Sequence, residues 1–207
     1  MLELRQGGPI LLVLLALLFY AAYVFFERFL AIRKERVGGE KLMREIEGAV
    51  RRGQLGSAIE AARLHGGTLG RFMLAGLSRA TYGTATVEAG LKAALIEEEA
   101  RLTKNLASLS VLAQAAPLVG LLGTVTGMIR AFNVLSAQGE PTAALLAEGI
   151  GEALFNTAGG LFVAIPALVG YYFLAGRVDK IVGELDQRRE ELLGILSEVS
   201  HAPAKPY

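Results

Sequence analysis

The chain has 207 residues, a formal net charge of +1, no cysteine and two histidines, which excludes a disulfide framework, thiol catalysis and a thiolate metal site. Mean hydropathy is positive, yet the charged residues crowd into residues 27–104 and 177–198, the pattern of a membrane protein with a soluble portion. No basic patch interleaves with aromatics, so nothing in the composition points to nucleic acid, and no cofactor is implied.

Residues 1–8 form a short N-terminal segment, and residues 9–30 read as a first transmembrane helix. Its apolar run ends in Phe19, Tyr20, Tyr23, Phe25, Phe26 and Phe29, with Glu27-Arg28 and then Arg33-Lys34-Glu35-Arg36 behind it. Aromatics at the boundary and a basic flank mark a retained span. A secretory signal would carry a short apolar core and a small-residue cleavage site.

Residues 31–105 read as a helical region. Leu42, Ile46, Ala49 and Val50 recur at helical spacing with Arg and Glu between them. His65-Gly66-Gly67-Thr68-Leu69-Gly70 is a predicted turn, and a long helix starts near Gly83-Thr84, carrying Leu91, Ala94, Leu95 and Leu102. The run Glu97-Glu98-Glu99 has Arg101 four residues after Glu97, so it reads as a paired, solvated face. Nothing in the sequence interrupts this helix before the next apolar run, which predicts one continuous rod.

Residues 106–134 and 148–176 are the second and third spans, joined by a turn at 135–147. The second is uncharged from Asn105 to Ile129 and the third from Ala153 to Gly176, each long enough for a bilayer, which needs roughly 20 apolar residues. Residues 177–207 carry an apolar stripe of Val178, Ile181, Val182, Leu185, Leu192, Leu196 and Val199 at three- and four-residue steps, then a fraying tail from Ala202 to Pro206. His65 and His201 read as exposed loop and tail residues.

Lysine and arginine placement orients the spans. Arg28, Arg33, Lys34 and Arg36 follow the first, Arg101 and Lys104 precede the second, and Arg177 and Lys180 follow the third, while the 135–147 turn has Glu140 and no basic residue. The positive-inside bias puts the N-terminus and the turn outside, and residues 31–105 and the C-terminus inside. The fold class is an all-α integral membrane protein with three transmembrane helices, N-out and C-in. Long helices extend into the cytoplasm, and small-residue faces build a homo-oligomeric ring.

Helices in lipid associate through close packing by small side chains. The second span offers Gly120, Gly123 and Gly127, the third Gly159 and Gly160, and each is interrupted by one proline, Pro117 or Pro166. Polar groups in a span are costly and face the bundle interior or a water path; here they include Thr124, Arg130, Glu152, Asn156 and Thr157. Thr124 lies six residues inward from Arg130, and Thr157 five inward from Glu152, so both threonines sit about 8–9 Å below those charges at matching height. Each threonine is either part of a hydroxyl ring or bonded to a carbonyl one turn back in its own helix. Arg130 and Glu152, at similar depth, are candidates for an ion pair. Thr157 is about 140° round the helix from Glu152, so a straight helix cannot aim both at one axis. One of them then faces a neighbouring subunit, or the helix is distorted near Gly159-Gly160 and Pro166.

The stretches APLVGLLGTVTGMIRAF, Ala116 to Phe132, and GIGEALFNTAGGLFVAIPALVGYY, Gly149 to Tyr172, resemble the ExbB/TolQ family of proton-channel subunits, related more distantly to MotA. Glu27-Arg28 at the end of the first span is also similar to the family. The resemblance implies a subunit of the bacterial cytoplasmic membrane, typically pentameric. It would surround the single spans of an ExbD- or TolR-like partner, in contact with a TonB- or TolA-like protein and with lipid. Proton flow past a carboxylate on the partner would drive movement that energises an outer-membrane process such as import or envelope maintenance. It maps pore-facing roles to Thr124 and Thr157 and the family glutamate to Glu152, with Asn156 beside the pore threonine, and these four are the residues expected along the ion path. The chain departs from the family at Thr126, at Asn156 and at Arg130, and the polar Asn156 beside the pore threonine leaves proton and sodium coupling both open.

Neither uncharged hairpin run contains a carboxylate, and Glu152 stands only at their edge. A transmembrane proton relay normally needs a titratable group within the membrane, so the essential one is expected from another chain. Two other readings compete with a motor subunit: a MotA-like flagellar stator, which normally has four spans, and a passive membrane scaffold. The chain carries no nucleophile–base or metal constellation, so it is not expected to be an enzyme.

Overall fold

In the computed structural model the residues described are 8–35, 39–138 and 143–201. Residues 1–7, Arg36, the apex of the 135–147 turn with Glu140, and the expected fraying tail lie outside them. The described secondary structure is helical throughout: α1 (Gly8–Lys34), α2 (Glu40–Arg51), α3 (Leu55–His65), α4 (Gly67–Leu77), a 3-10 turn (Ala80–Tyr82), α5 (Thr84–Thr103), α6 (Leu106–Gln138) and α7 (Ala143–His201). Three of them, α1, α6 and α7, are long and apolar enough to cross a membrane.

The chain forms two compact units. The first combines residues 1–29 with 105–174, and the second combines 30–104 with 175–207.

In the first unit α1 packs on the hairpin of α6 and the first half of α7. Leu14 of α1 meets Ala116, Val163 and Ala164, and Ile10, Leu17, Leu18 and Val119 pack around them. Farther along, Phe29 stacks on Phe173 with ring centroids 6.3 Å apart. Pro117 and Pro166 both lie inside continuous helices; a proline there removes one backbone hydrogen bond, and packing against neighbouring helices makes that tolerable in a span.

In the second unit the helical spacing read from the sequence is the core: Leu42, Met43, Ile46, Ala49 and Val50 of α2 are all buried. They join Phe72, Met73 and Leu77 of α4 and Leu91 of α5, also buried. From α7 come Val178, Ile181, Leu185, Leu192 and Ile195. At the far end the buried position is Ile195, while Val199 is exposed.

Three expectations need correction. The rod is not continuous: α5 ends at Thr103, Lys104 turns to ψ 132 and Asn105 takes a positive φ of 63. Asparagine tolerates the left-handed region better than most residues, and its carbonyl accepts the Ser108 N–H to open α6. The predicted turn at 65–70 shrinks to Gly66, because Gly67 already begins α4. Glu98 is not on a solvated face; it is buried, and only Glu97 makes the i,i+4 pair with Arg101.

The buried Glu98 belongs to a polar network inside the second unit. Arg71 of α4 donates to it twice, Nε and Nη2 each at 2.7 Å from a carboxylate oxygen. That hydrogen bonding raises the proton affinity of the Arg71 guanidinium, opposed in part by burial. Glu35, just beyond α1, accepts the Thr68 backbone N–H at 3.0 Å and its hydroxyl at 2.8 Å. A carboxylate at the N-terminus of α4 satisfies a donor that the helix itself cannot.

Candidate functional site: the α6–α7 hairpin

The hairpin is held at backbone distance by small residues. A Cβ added at Gly160 would lie 2.7 Å from the Ala116 carbonyl oxygen and 3.1 Å from the Gly120 Cα. One added at Gly120 would lie 2.8 Å from the Asn156 carbonyl oxygen, and one at Gly149 would overlap the Ala131 Cβ. Gly127 is looser, with Ala153 N and Gly149 O both 3.5 Å from its added Cβ. Ala131 opposite Gly149, Gly127 opposite Ala153, Gly123 opposite Asn156 and Gly120 opposite Gly160 set an antiparallel register. Gly159 lies outside this seam and faces α1, where its added Cβ would be 3.2 Å from Leu14 Cδ1.

The register locates the threonines. Thr124 stands level with residues 155–156 on α7, so Thr157 is displaced from it by about 2–3 Å, less than one helical turn. Each threonine immediately follows a seam residue, Gly123 or Asn156, and so points about 100° round its own helix. The helices run in opposite directions, so the two rotations are of opposite sense from any one end. Both threonines therefore turn to the same flank of the hairpin. Gly159, Val163 and Val119, which meet α1, turn to the other. Thr124 and Thr157 are both partly exposed on a flank that α1 does not cover.

The two hydroxyls differ. Thr124 Oγ1 donates to the Leu121 carbonyl at 2.7 Å, which leaves its lone pairs free to accept. Thr157 Oγ1 has no such bond among the described residues. Thr126, by contrast, bonds the Leu122 and Gly123 carbonyls at 3.0 and 3.2 Å.

Asn156 is fully buried in the seam, and neither its Nδ2 nor its Oδ1 has a hydrogen-bond partner. Its side chain fills the space left open at Gly123, where an added Cβ would lie 2.5 Å from the Asn156 Cβ. Arg130 and Glu152 approach to 2.8 Å, Nη2 to Oε1. The approach is one of charge without hydrogen-bond alignment, since Oε1 is enclosed and accepts no well-directed bond. Both residues turn to the α1 flank, where Gly8 meets them. The structure thus brings Thr124 and Thr157 together and separates Glu152 from them. The 140° between Glu152 and Thr157 is resolved in an unbroken α7 by aiming the two at opposite flanks.

Sequence reasoning missed the part played by Gly8, and nothing in the local pattern of residues 7–10 indicated its contact. It also missed Ala131 and Glu98. For Glu98 a signal existed: it falls between Ala94 and Leu102 at four-residue steps, in the middle of the buried stripe of α5.

Residues 66–187, which include the whole hairpin seam, match the model of the MotA/TolQ/ExbB proton channel family. The chain belongs to the MotA/TolQ/ExbB proton channel family. An ExbB-like biopolymer transport protein of Synechocystis is 34% identical over 99% of this chain and 82% of its own length. The Tol-Pal system protein TolQ of Pseudomonas aeruginosa is 36% identical over 56% of this chain and 50% of its own. For the biopolymer transport protein ExbB of Xanthomonas campestris the figures are 35%, 51% and 42%. Members of this family are channel-type motor subunits and not enzymes. Three apolar helices and this membership describe a multi-pass membrane protein.

Proposed function

We propose that this chain is a ring-forming ion-channel subunit of a motor in the bacterial inner membrane, with α1, α6 and α7 spanning N-out and C-in. The observation that carries the reading is the shared flank of Thr124 and Thr157. When several copies close into a ring with these flanks inward, the threonines form neighbouring hydroxyl layers around a central path, and α1 lies at the periphery. A threonine hydroxyl donates and accepts at once, so such layers can hold water and pass a proton.

The hairpin runs supply no carboxylate of their own, so the titratable group comes from a single-span ExbD- or TolR-like partner inside the ring. Ion flow past it does mechanical work that energises an outer-membrane process. Of the four residues first assigned to the path, Thr124 and Thr157 line it. Asn156 sits behind them and sets hairpin spacing.

The test replaces each threonine with valine, which keeps the branched shape and deletes the hydroxyl. Rings of Thr124→Val and Thr157→Val still assemble with the partner, and their ion-dependent activity falls by at least tenfold, about 1.4 kcal/mol of transport barrier. Valine rings that transduce as well as the parent return the hydroxyls to plain packing and favour the passive scaffold.

A further inference from the structure

We infer that Gly8, Arg130 and Glu152 form a lock that fastens the start of α1 to the hairpin, and that Glu152 is a positioning residue rather than an ion carrier. The second half of this inference rests on the ion-path reading above; the first does not.

Three observations converge on the lock. Arg130 Nη2 lies 2.8 Å from Glu152 Oε1, with the Glu152 side chain 17% exposed. Gly8 packs its bare Cα against the same pair: an added Cβ would lie 2.6 Å from Glu152 Oε1 and 3.2 Å from Arg130 Nη2. Gly8 also has a φ of 60, which an L side chain rarely adopts. The positive φ is what favours glycine here, and an added Cβ would in addition push the ends of the Glu152 and Arg130 side chains out of their present contact. The contact sets the Glu152 carboxylate beside the N-terminal end of α1, where the helix dipole is positive. A carboxylate between a guanidinium and a helix N-terminus is held on the α1 flank, away from Thr157. Each member of the lock comes from a different helix, so one carboxylate ties all three spans together near the α6–α7 turn.

The absence of cysteine from the chain makes disulfide trapping a clean probe. Leu11→Cys with Gly159→Cys reports α1 against the hairpin, because an added Gly159 Cβ lies 3.7 Å from Leu11 Cδ1. Gly127→Cys with Ala153→Cys reports the hairpin itself and shows that each variant is folded. With full-length protein in mild detergent, Glu152→Gln, Arg130→Gln and Gly8→Ala each lower the α1–hairpin yield about fivefold, the size of one partly screened ion pair. The hairpin yield stays at the parent level. An α1–hairpin yield unchanged in all three variants overturns the lock.

The positioning role is read in proteoliposomes carrying the partner. Arg130→Gln and Gly8→Ala reduce ion-dependent activity as far as Glu152→Gln does, because all three open one lock. If Glu152→Gln alone abolishes activity while the other two match the parent, Glu152 carries the ion and the positioning role is wrong. A parent without ion-dependent activity refutes the ion-path reading instead, and the trapping result then decides the lock by itself.

Discussion

Arg71 and Glu98 form a pair whose two halves should not be equally costly to remove. Glu98 is enclosed, its side chain 4% exposed, whereas Arg71 keeps 37%. Arg71→Met retains an apolar stem but strands a buried carboxylate. Breaking a fully buried pair costs about 3–5 kcal/mol, and the partial exposure of Arg71 brings the expectation to about 2–4. Glu98→Gln is milder, about 1 kcal/mol. The amide still accepts a hydrogen bond, and Arg71 has both water and Glu35, 3.9 Å away, as alternatives. Arg71→Met with Glu98→Leu removes both charges and should return to within about 1 kcal/mol of the parent. Hydrogen exchange of α4 and α5 amides in the intact chain measures all three. The Arg71→Met loss corresponds to exchange about 30- to 700-fold faster, and the Glu98→Gln loss to about fivefold. Equal losses for the two single variants, or a double variant as unstable as Arg71→Met, would refute the argument from asymmetric burial.

The hairpin seam yields three more expectations. Gly160→Leu drives a side chain into the Ala116 carbonyl and the Gly120 Cα, so it separates α6 from α7 and abolishes ring assembly, as native mass measurement will show. Gly120→Ala meets backbone alone and gives a weaker loss of the same kind. Gly123→Ala places its Cβ 2.5 Å from the Asn156 Cβ, so it destabilises the parent, while the same change in an Asn156→Gly background, which removes that Cβ, is tolerated; thermal unfolding of the four proteins in detergent measures the coupling, expected at about 1–3 kcal/mol.

Much of this protein is legible along the chain because the signals are local. Bilayer length, uncharged runs and boundary aromatics mark three spans without knowledge of any contact. The step of three and four residues identifies the α2 core and most of the α7 stripe. Small residues at matched spacing in the second and third spans already indicate a close hairpin, and an Arg and a Glu at similar depth suggest a pair. These features repeat with the period of a helix, and that period is a property of the backbone.

What the tertiary structure decided concerns direction around a helix and contacts between distant segments. Depth along two spans can be counted, but which flank a side chain faces depends on the seam residue beside it. Only the pairing of Gly123 with Asn156 shows that Thr124 and Thr157 turn the same way and Glu152 the other. The break at Lys104–Asn105 escaped the sequence because asparagine adopts a left-handed conformation only where its surroundings demand it. Glu98 escaped because its charge outweighed its position until Arg71 was seen beside it, twenty-seven residues away. Gly8 has no neighbour in the sequence that announces its role; its partners are side chains on two other helices, Glu152 and Arg130, and its positive φ is a conformation that the sequence does not display.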